Sequence, residues 1–205
     1  VRYNDLYHIK WGDYDVAIFP DGDYDDLPAD KLQNWVSDGG KLIAMQNAIT
    51  QLVGKKGFSI KSFPDKKKEK SDTTTDKEEL VKAYADRDHE AIRSNVPGAI
   101  FKVDMDNTHP LGFGLDKFYF TLKLDDAIYT YLGNDGWNVG TVKKKSYVEG
   151  FVGQKAKDKI KDGLLFGVQS LGRGSIVYLV DDPLFRSFWQ NGKMLFSNAV
   201  FMVGQ

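Results

Sequence analysis

The chain has 205 residues, with 28 Lys and Arg against 29 Asp and Glu, three His and no Cys. Without cysteine there is no disulfide framework, thiolate zinc site, iron–sulfur cluster or thiol nucleophile, and His8, His89 and His109 are too widely spaced to form a local histidine metal motif. The net charge of −1 speaks against nucleic acid as a partner, and no apolar run reaches the roughly 18 residues that a membrane span needs.

The first sixteen residues, VRYNDLYHIKWGDYDV, have neither the basic start nor the apolar stretch of a signal peptide. Val1 stands where an initiator Met would, so the chain reads as processed or excised. Residues 14–19, YDVAIF, form an apolar run that stops at Pro20-Asp21-Gly22, a turn signal, and predict a buried strand. Pro28 suits a first helical turn, Leu32, Trp35 and Val36 recur at helical spacing, and Gly39-Gly40 close that helix. Residues 41–45, KLIAM, predict a second buried strand. Strand, helix and strand in about 30 residues make a βαβ unit, whose strands are parallel and whose crossover is right-handed.

A second helix is expected to open directly after that strand, over residues 46–53. Residues 61–79 then hold six Lys and six acids among Ser and Thr, the composition of a mobile solvated loop. Thr75 and Glu78 have capping-box spacing and predict a helix restart. Residues 97–152 read as a β-rich insertion, with AIFKV, FYFTLKL, AIYTYL, NVGTV and SYVEGFV separated by turn residues. LLFGVQSL (164–171) and SIVYLV (175–180) bracket Gly172-Arg173-Gly174, a hairpin with a three-residue loop. NGKMLFSNAVFMV, at the carboxyl end, has the spacing of a helix. The whole chain is expected to be one α/β domain, an open, mostly parallel sheet carrying the β-rich insertion. Ligands of such sheets sit beyond the carboxyl ends of the strands.

YDVAIFPDG, followed about 20 residues later by GGKLIAMQNAI, resembles the class I glutamine amidotransferase-like, flavodoxin-like fold. That resemblance puts Ala44-Met45-Gln46-Asn47-Ala48 at the nucleophile elbow, with Gln46 where the family has its cysteine. It also puts Asp182-Pro183-Leu184 where the family has His-Pro-Glu. An amide has no nucleophilic form and Leu184 cannot orient a base, so no glutaminase activity is expected. A longer stretch resembles the C-terminal amidotransferase-like domain of large bacterial zinc carboxypeptidases: GAIFKVDMDNTHPLGFGL (98–115), GWNVG (136–140) and GRGSIVYLVDDPLFRSFWQNGKMLFSNAVF (172–201). That resemblance implies a non-catalytic accessory domain, an upstream peptidase domain as partner, a capacity to assemble homo-oligomers, and a periplasmic or extracellular location. The peptidase's own zinc motif is absent from the chain.

The alternative is a binding module that holds a small polar ligand, a sugar or a peptide, at the strand ends. Its candidate residues are Asp21, Gly22, Gln46, Asn47, His109, Asp182 and Arg186. Each also has a structural explanation. Asp182 can cap a helix beginning there, with Arg186 paired to a carboxylate. Gln46 and Asn47 can satisfy the backbone of a strand-to-helix turn, and His109 before Pro110 can be a hydrogen-bonded loop residue. The stretch DGDYDD (21–26) lacks the full calcium-loop pattern, with Asp26 free to cap the first helix. No catalytic residue, metal ligand or cofactor is expected.

Overall fold

A computed structural model describes residues 2–25, 27–64, 91–187 and 189–204. The strands are β1 (Val16–Phe19), β2 (Lys41–Met45), β3 (Gly98–Met105), β4 (Phe118–Lys123), β5 (Gly136–Val142), β6 (Tyr147–Phe151), β7 (Gly163–Leu171) and β8 (Gly174–Leu179). Helices that lie wholly among the described residues are α1 (Ala29–Ser37), α2 (Asn47–Thr50), α3 (Gln154–Lys159) and α4 (Gln190–Phe201). The strands form one sheet in the order β1-β2-β8-β7-β5-β3-β4, with β6 paired to β3.

The βαβ unit is present. β1 and β2 are parallel, with Val16 opposite Lys41 and Phe19 opposite Ala44. All five residues of β2 are buried, because β1 and β8 flank it as parallel neighbours; this is why, after Lys41, Leu42 to Met45 are an unbroken apolar run rather than an alternating one. Helix α1 buries Leu32, Trp35 and Val36. It ends where Gly39, at φ 124°, turns back so that its N–H donates to Val36 and that of Gly40 to Trp35. A side chain at Gly40 would strike the Trp35 ring, so glycine is needed there for packing as well.

The parallel part is confined to β1, β2 and β8. The expectation of a mostly parallel sheet holds only for that half, because β8 returns beside β2 antiparallel to β7, and every later pairing is antiparallel. The β-rich stretch forms no separate layer. β3 is paired on one side with β4 and on the other with β6 at its start and β5 at its end, which extends the same sheet. The hairpin loop is two residues, not three: Leu171 pairs with Gly174, and Gly172 takes a positive φ of 61°, which a tight hairpin asks of its first loop residue.

Helix α2 stops after four residues. The carboxyl-terminal helix runs from Gln190 to Phe201, where the spacing of NGKMLFSNAVFMV predicts it, and no helix begins at Asp182. It is pinned by Asn198, whose amide donates to the carbonyls of Leu111 and Phe113 at 3.1 and 2.7 Å. The helix expected at Thr75, most of the charged segment 61–79, His89, and the cap expected of Asp26 lie outside the described residues.

Candidate functional site

Gln46 follows directly on β2, and its N–H continues the ladder to the Leu179 carbonyl of β8 at 2.9 Å. Its backbone sits at φ 46°, ψ −120°. L-residues other than glycine avoid that conformation, which stores on the order of 1–3 kcal/mol. It is the sharp strand-to-helix turn that lifts a side chain over the carboxyl edge of a sheet, the geometry used by nucleophile elbows. The Gln46 side chain is half-buried and its amide makes no hydrogen bond with the described residues.

The turn is braced from β1. Asp21 accepts the Asn47 backbone N–H at 3.2 Å, and Asp23 accepts from the Asn47 amide at 2.5 Å. Thr50 donates to the Asn47 carbonyl at 2.6 Å. The Asn47 amide is therefore engaged by the Asp23 and Thr50 side chains, and not by the backbone of the turn as the structural explanation has it, whereas the Gln46 amide has no described partner. Above this turn is a cleft of about 320 Å³ lined by Asp21, Gln46, Asn47, Thr50, Asp125 and Tyr129, with Leu124 and Ala127 as its apolar part. The Tyr129 phenol is pushed up to about 12, first by burial and then by the Asp125 carboxylate.

The cleft's far wall is the turn after β4, held from below. The Lys123 ammonium is fully buried and donates to Asp181 at 2.7 Å and to the Ala127 carbonyl at 2.8 Å, with Asp125 3.8 Å away. Thr121 donates to the second oxygen of Asp181 at 2.8 Å. Burial pushes the Asp181 carboxyl above the ordinary aspartate range, against the pull of the Lys123 ammonium. Lys123 is not a candidate from the sequence; Asp181, which the sequence places with Asp182 at a strand end as a ligand-binding acid, is instead the buried counter-charge of Lys123. A signal existed: FYFTLKL alternates, so Tyr119, Thr121 and Lys123 share the inward face, and an inward lysine requires a buried acid.

The other expected residues do not join this cleft. Gly22 lies in the turn that Tyr24 closes by donating to the Pro20 carbonyl at 2.9 Å. Asp182 accepts the Leu184 N–H at 2.8 Å, capping its own turn rather than helix α4. Arg186 is exposed at φ 47°, with its guanidinium 5.2 Å from the Phe185 ring and not in an ion pair with a described residue. His109 sits at the other end of the parallel strands, in a cleft shared with Lys41 and Gly174. Its Nδ1 accepts the Leu111 N–H at 3.1 Å, and burial holds its pKa below the ordinary histidine value. Among the described residues no group of three or more His, Asp or Glu side chains is placed to hold a metal ion.

With the cleft defined, the chain can be set beside known proteins. No family model matches it and no curated protein does. Among solved structures, a cytoplasmic protein of Salmonella typhimurium superposes with a TM-score of 0.54 at 11% identity, over 98% of this chain and 74% of that one. A ThuA-like protein of Bacteroides uniformis matches with a TM-score of 0.45 at 15% identity, over 97% of this chain and 70% of that one. The fold is an amidotransferase-like open α/β sheet. The resemblance to the C-terminal domain of zinc carboxypeptidases is overturned: the structure on which the chain superposes is described as a cytoplasmic protein, and nothing found indicates a carboxypeptidase domain. The accessory-domain role and the upstream peptidase partner fall with it, and the periplasmic or extracellular location loses its ground. The physical reason is that much of what the motifs encode is shared by the sheet itself: GWNVG opens strand β5, and in the DDPLFR segment Asp181 neutralises Lys123 while Asp182 caps its own turn. Such features report a fold, which many unrelated functions share. Among the described residues no helix is long and apolar enough to cross a membrane.

Proposed function

We propose that this chain is a binding protein rather than an enzyme of the elbow type, and that its cleft takes a small, uncharged, hydroxyl-rich molecule such as a sugar or polyol. One observation carries this reading: Gln46 is held in a strained backbone conformation over the carboxyl edge of the sheet, with a side-chain amide that no described residue satisfies. Strain at an elbow persists only when the surroundings enforce it, and such outliers cluster at ligand sites.

The chemistry of the cleft points to the ligand class. Asp21 and Asp125 offer carboxylate oxygens, Gln46 offers both a carbonyl and an NH2, and Thr50 offers a hydroxyl. Among the described residues the ammonium beneath the cleft, Lys123, is consumed by Asp181. Among the described residues that line the space, acceptors outnumber donors and none is a cation, so anionic ligands are disfavoured and hydroxyl donors are favoured. The volume of about 320 Å³ lies at the small end of ligand sites, enough for one sugar ring. An amide at the elbow cannot attack a carbonyl, so no acyl intermediate can form on it.

Isothermal titration against a panel of neutral monosaccharides and polyols tests this. At least one is expected to bind, with affinity falling about tenfold in Gln46→Ala, which removes the amide, and in Asp125→Asn, which exchanges a charged acceptor oxygen for a donor. No binding across the panel, or binding indifferent to both substitutions, would overturn the ligand assignment. Ammonia release from glutamine that Gln46→Ala abolishes would overturn the non-enzymatic reading.

A further inference from the structure

The cleft at the opposite end of the parallel strands is about 630 Å³ and is built from different residues. Lys41 opens β2 and Ser175 lies beside it in register on β8. Lys41 is only 7% exposed, yet its ammonium has one described partner, the Val200 carbonyl at 2.7 Å, and no carboxylate among the described residues. An ammonium has three hydrogens to place. Arg173, in the β7–β8 turn, likewise donates to a carbonyl, that of Asp38 at 2.8 Å, and has no acid partner among the described residues. Gly204 keeps the space beside Lys41 open: a side chain there would stand 3.1 Å from the Ser175 hydroxyl and 3.6 Å from Lys41 Cε, on a backbone at φ 74°.

The other wall is aromatic. Trp137 is 51% exposed although it sits in a strand, and its ring centroid lies 5.7 Å from that of His109. His109 is itself fixed by the Leu111 N–H, so the indole has a stiff backing. Asp106, the acid among the described residues lining this cleft, accepts the Thr108 N–H at 3.0 Å and the Thr108 hydroxyl at 2.6 Å and is paired with neither cation. Two cations that pair with no carboxylate among the described residues, together with an open indole, are complementary to one kind of ligand. Charge-assisted bonds would take its anionic group, and the indole face would take its ring.

We propose that this cleft binds a small anion carried on a flat ring, with the anionic group between Lys41, Ser175 and Arg173 and the ring stacked on Trp137. The site is separate from the Gln46 cleft and does not depend on the reading given to it. Burial holds the Lys41 ammonium below the ordinary lysine range, so an anion beside it would relieve a cost the fold already bears.

Isothermal titration with adenosine monophosphate and with benzoate samples the two anion types, a phosphate and a carboxylate, each on a flat ring. Adenosine and benzamide serve as their uncharged counterparts. Arg173→Ala and Trp137→Ala change exposed side chains, and their far-UV circular dichroism should match the parent. At least one anionic probe is expected to bind with Kd below about 1 mM, and each substitution to weaken it by about tenfold. Which probe binds identifies the anion. Binding of neither, equal binding of the uncharged counterpart, or either variant binding as tightly as the parent overturns the proposal.

Discussion

Replacing Gln46 with glycine should make the protein more stable, although it deletes a side chain. At φ 46°, ψ −120° a residue with a Cβ is strained by on the order of 1–3 kcal/mol, and glycine is not. Against this, glycine gives the unfolded chain more freedom, at a cost of about 0.4–1 kcal/mol. The Gln46 amide has no described hydrogen bond to lose. The balance is a gain of about 1 kcal/mol, which in a chain of this size raises the melting midpoint by about 2–4 °C. Gln46→Ala is the control: it removes the same side-chain atoms beyond Cβ but keeps the strain, so it should stay within about 0.5 kcal/mol of the parent. Urea denaturation of the three proteins, with m-values compared, measures both. If the glycine variant is less stable than the parent, or alanine gains as much as glycine, the strain is not where the backbone geometry places it. The same glycine variant should bind the neutral ligand no better than Gln46→Ala, because stability is gained and the amide is lost. Strain held at a ligand-facing residue has this signature, stability rising as function falls.

The buried pair beneath the cleft should behave as a unit. Lys123→Met leaves the Asp181 carboxylate without its ammonium and should cost about 3–5 kcal/mol in chemical denaturation; adding Asp181→Leu should recover most of that, and a double variant as costly as the sum of its parts would refute the coupling. Tyr129 governs part of the alkaline limit. Its folded pKa of about 12 lies above the unfolded value of 10.0, so its contribution is complete below pH 10 and is lost as pH rises toward 12. The loss is about 1.4 kcal/mol per pH unit. Tyr129→Phe should therefore flatten the fall of stability over pH 10–12 by one proton's worth, and an unchanged slope would show that the phenol is not held neutral by burial.

Much of the scaffold was legible in short stretches of sequence. YDVAIF, the spacing of Leu32, Trp35 and Val36, and KLIAM specify β1, α1 and β2, because each signal is a local period set by backbone geometry. The β7–β8 hairpin follows from Gly172 for the same reason. The position of Gln46 at the strand-to-helix turn could also be read, since it depends only on what flanks it. The rest depends on residues far apart in the chain. Lys123 meets Asp181 across 58 positions and Thr121 meets it across 60, and no local period encodes such a meeting. That His109 faces Lys41 rather than Gln46 depends on the strand order β8-β7-β5-β3, which follows from how the antiparallel half packs against the parallel one. Local signals in the sequence specify the parallel half and the amide at its elbow. Only the tertiary structure decided that Asp181 is a buried counter-charge, that Asp182 caps its own turn, and that the polar residues fall into two clefts at opposite ends of the strands. Long-range pairing is selected by burial and charge neutralisation over the whole chain, and single residue types do not carry that information.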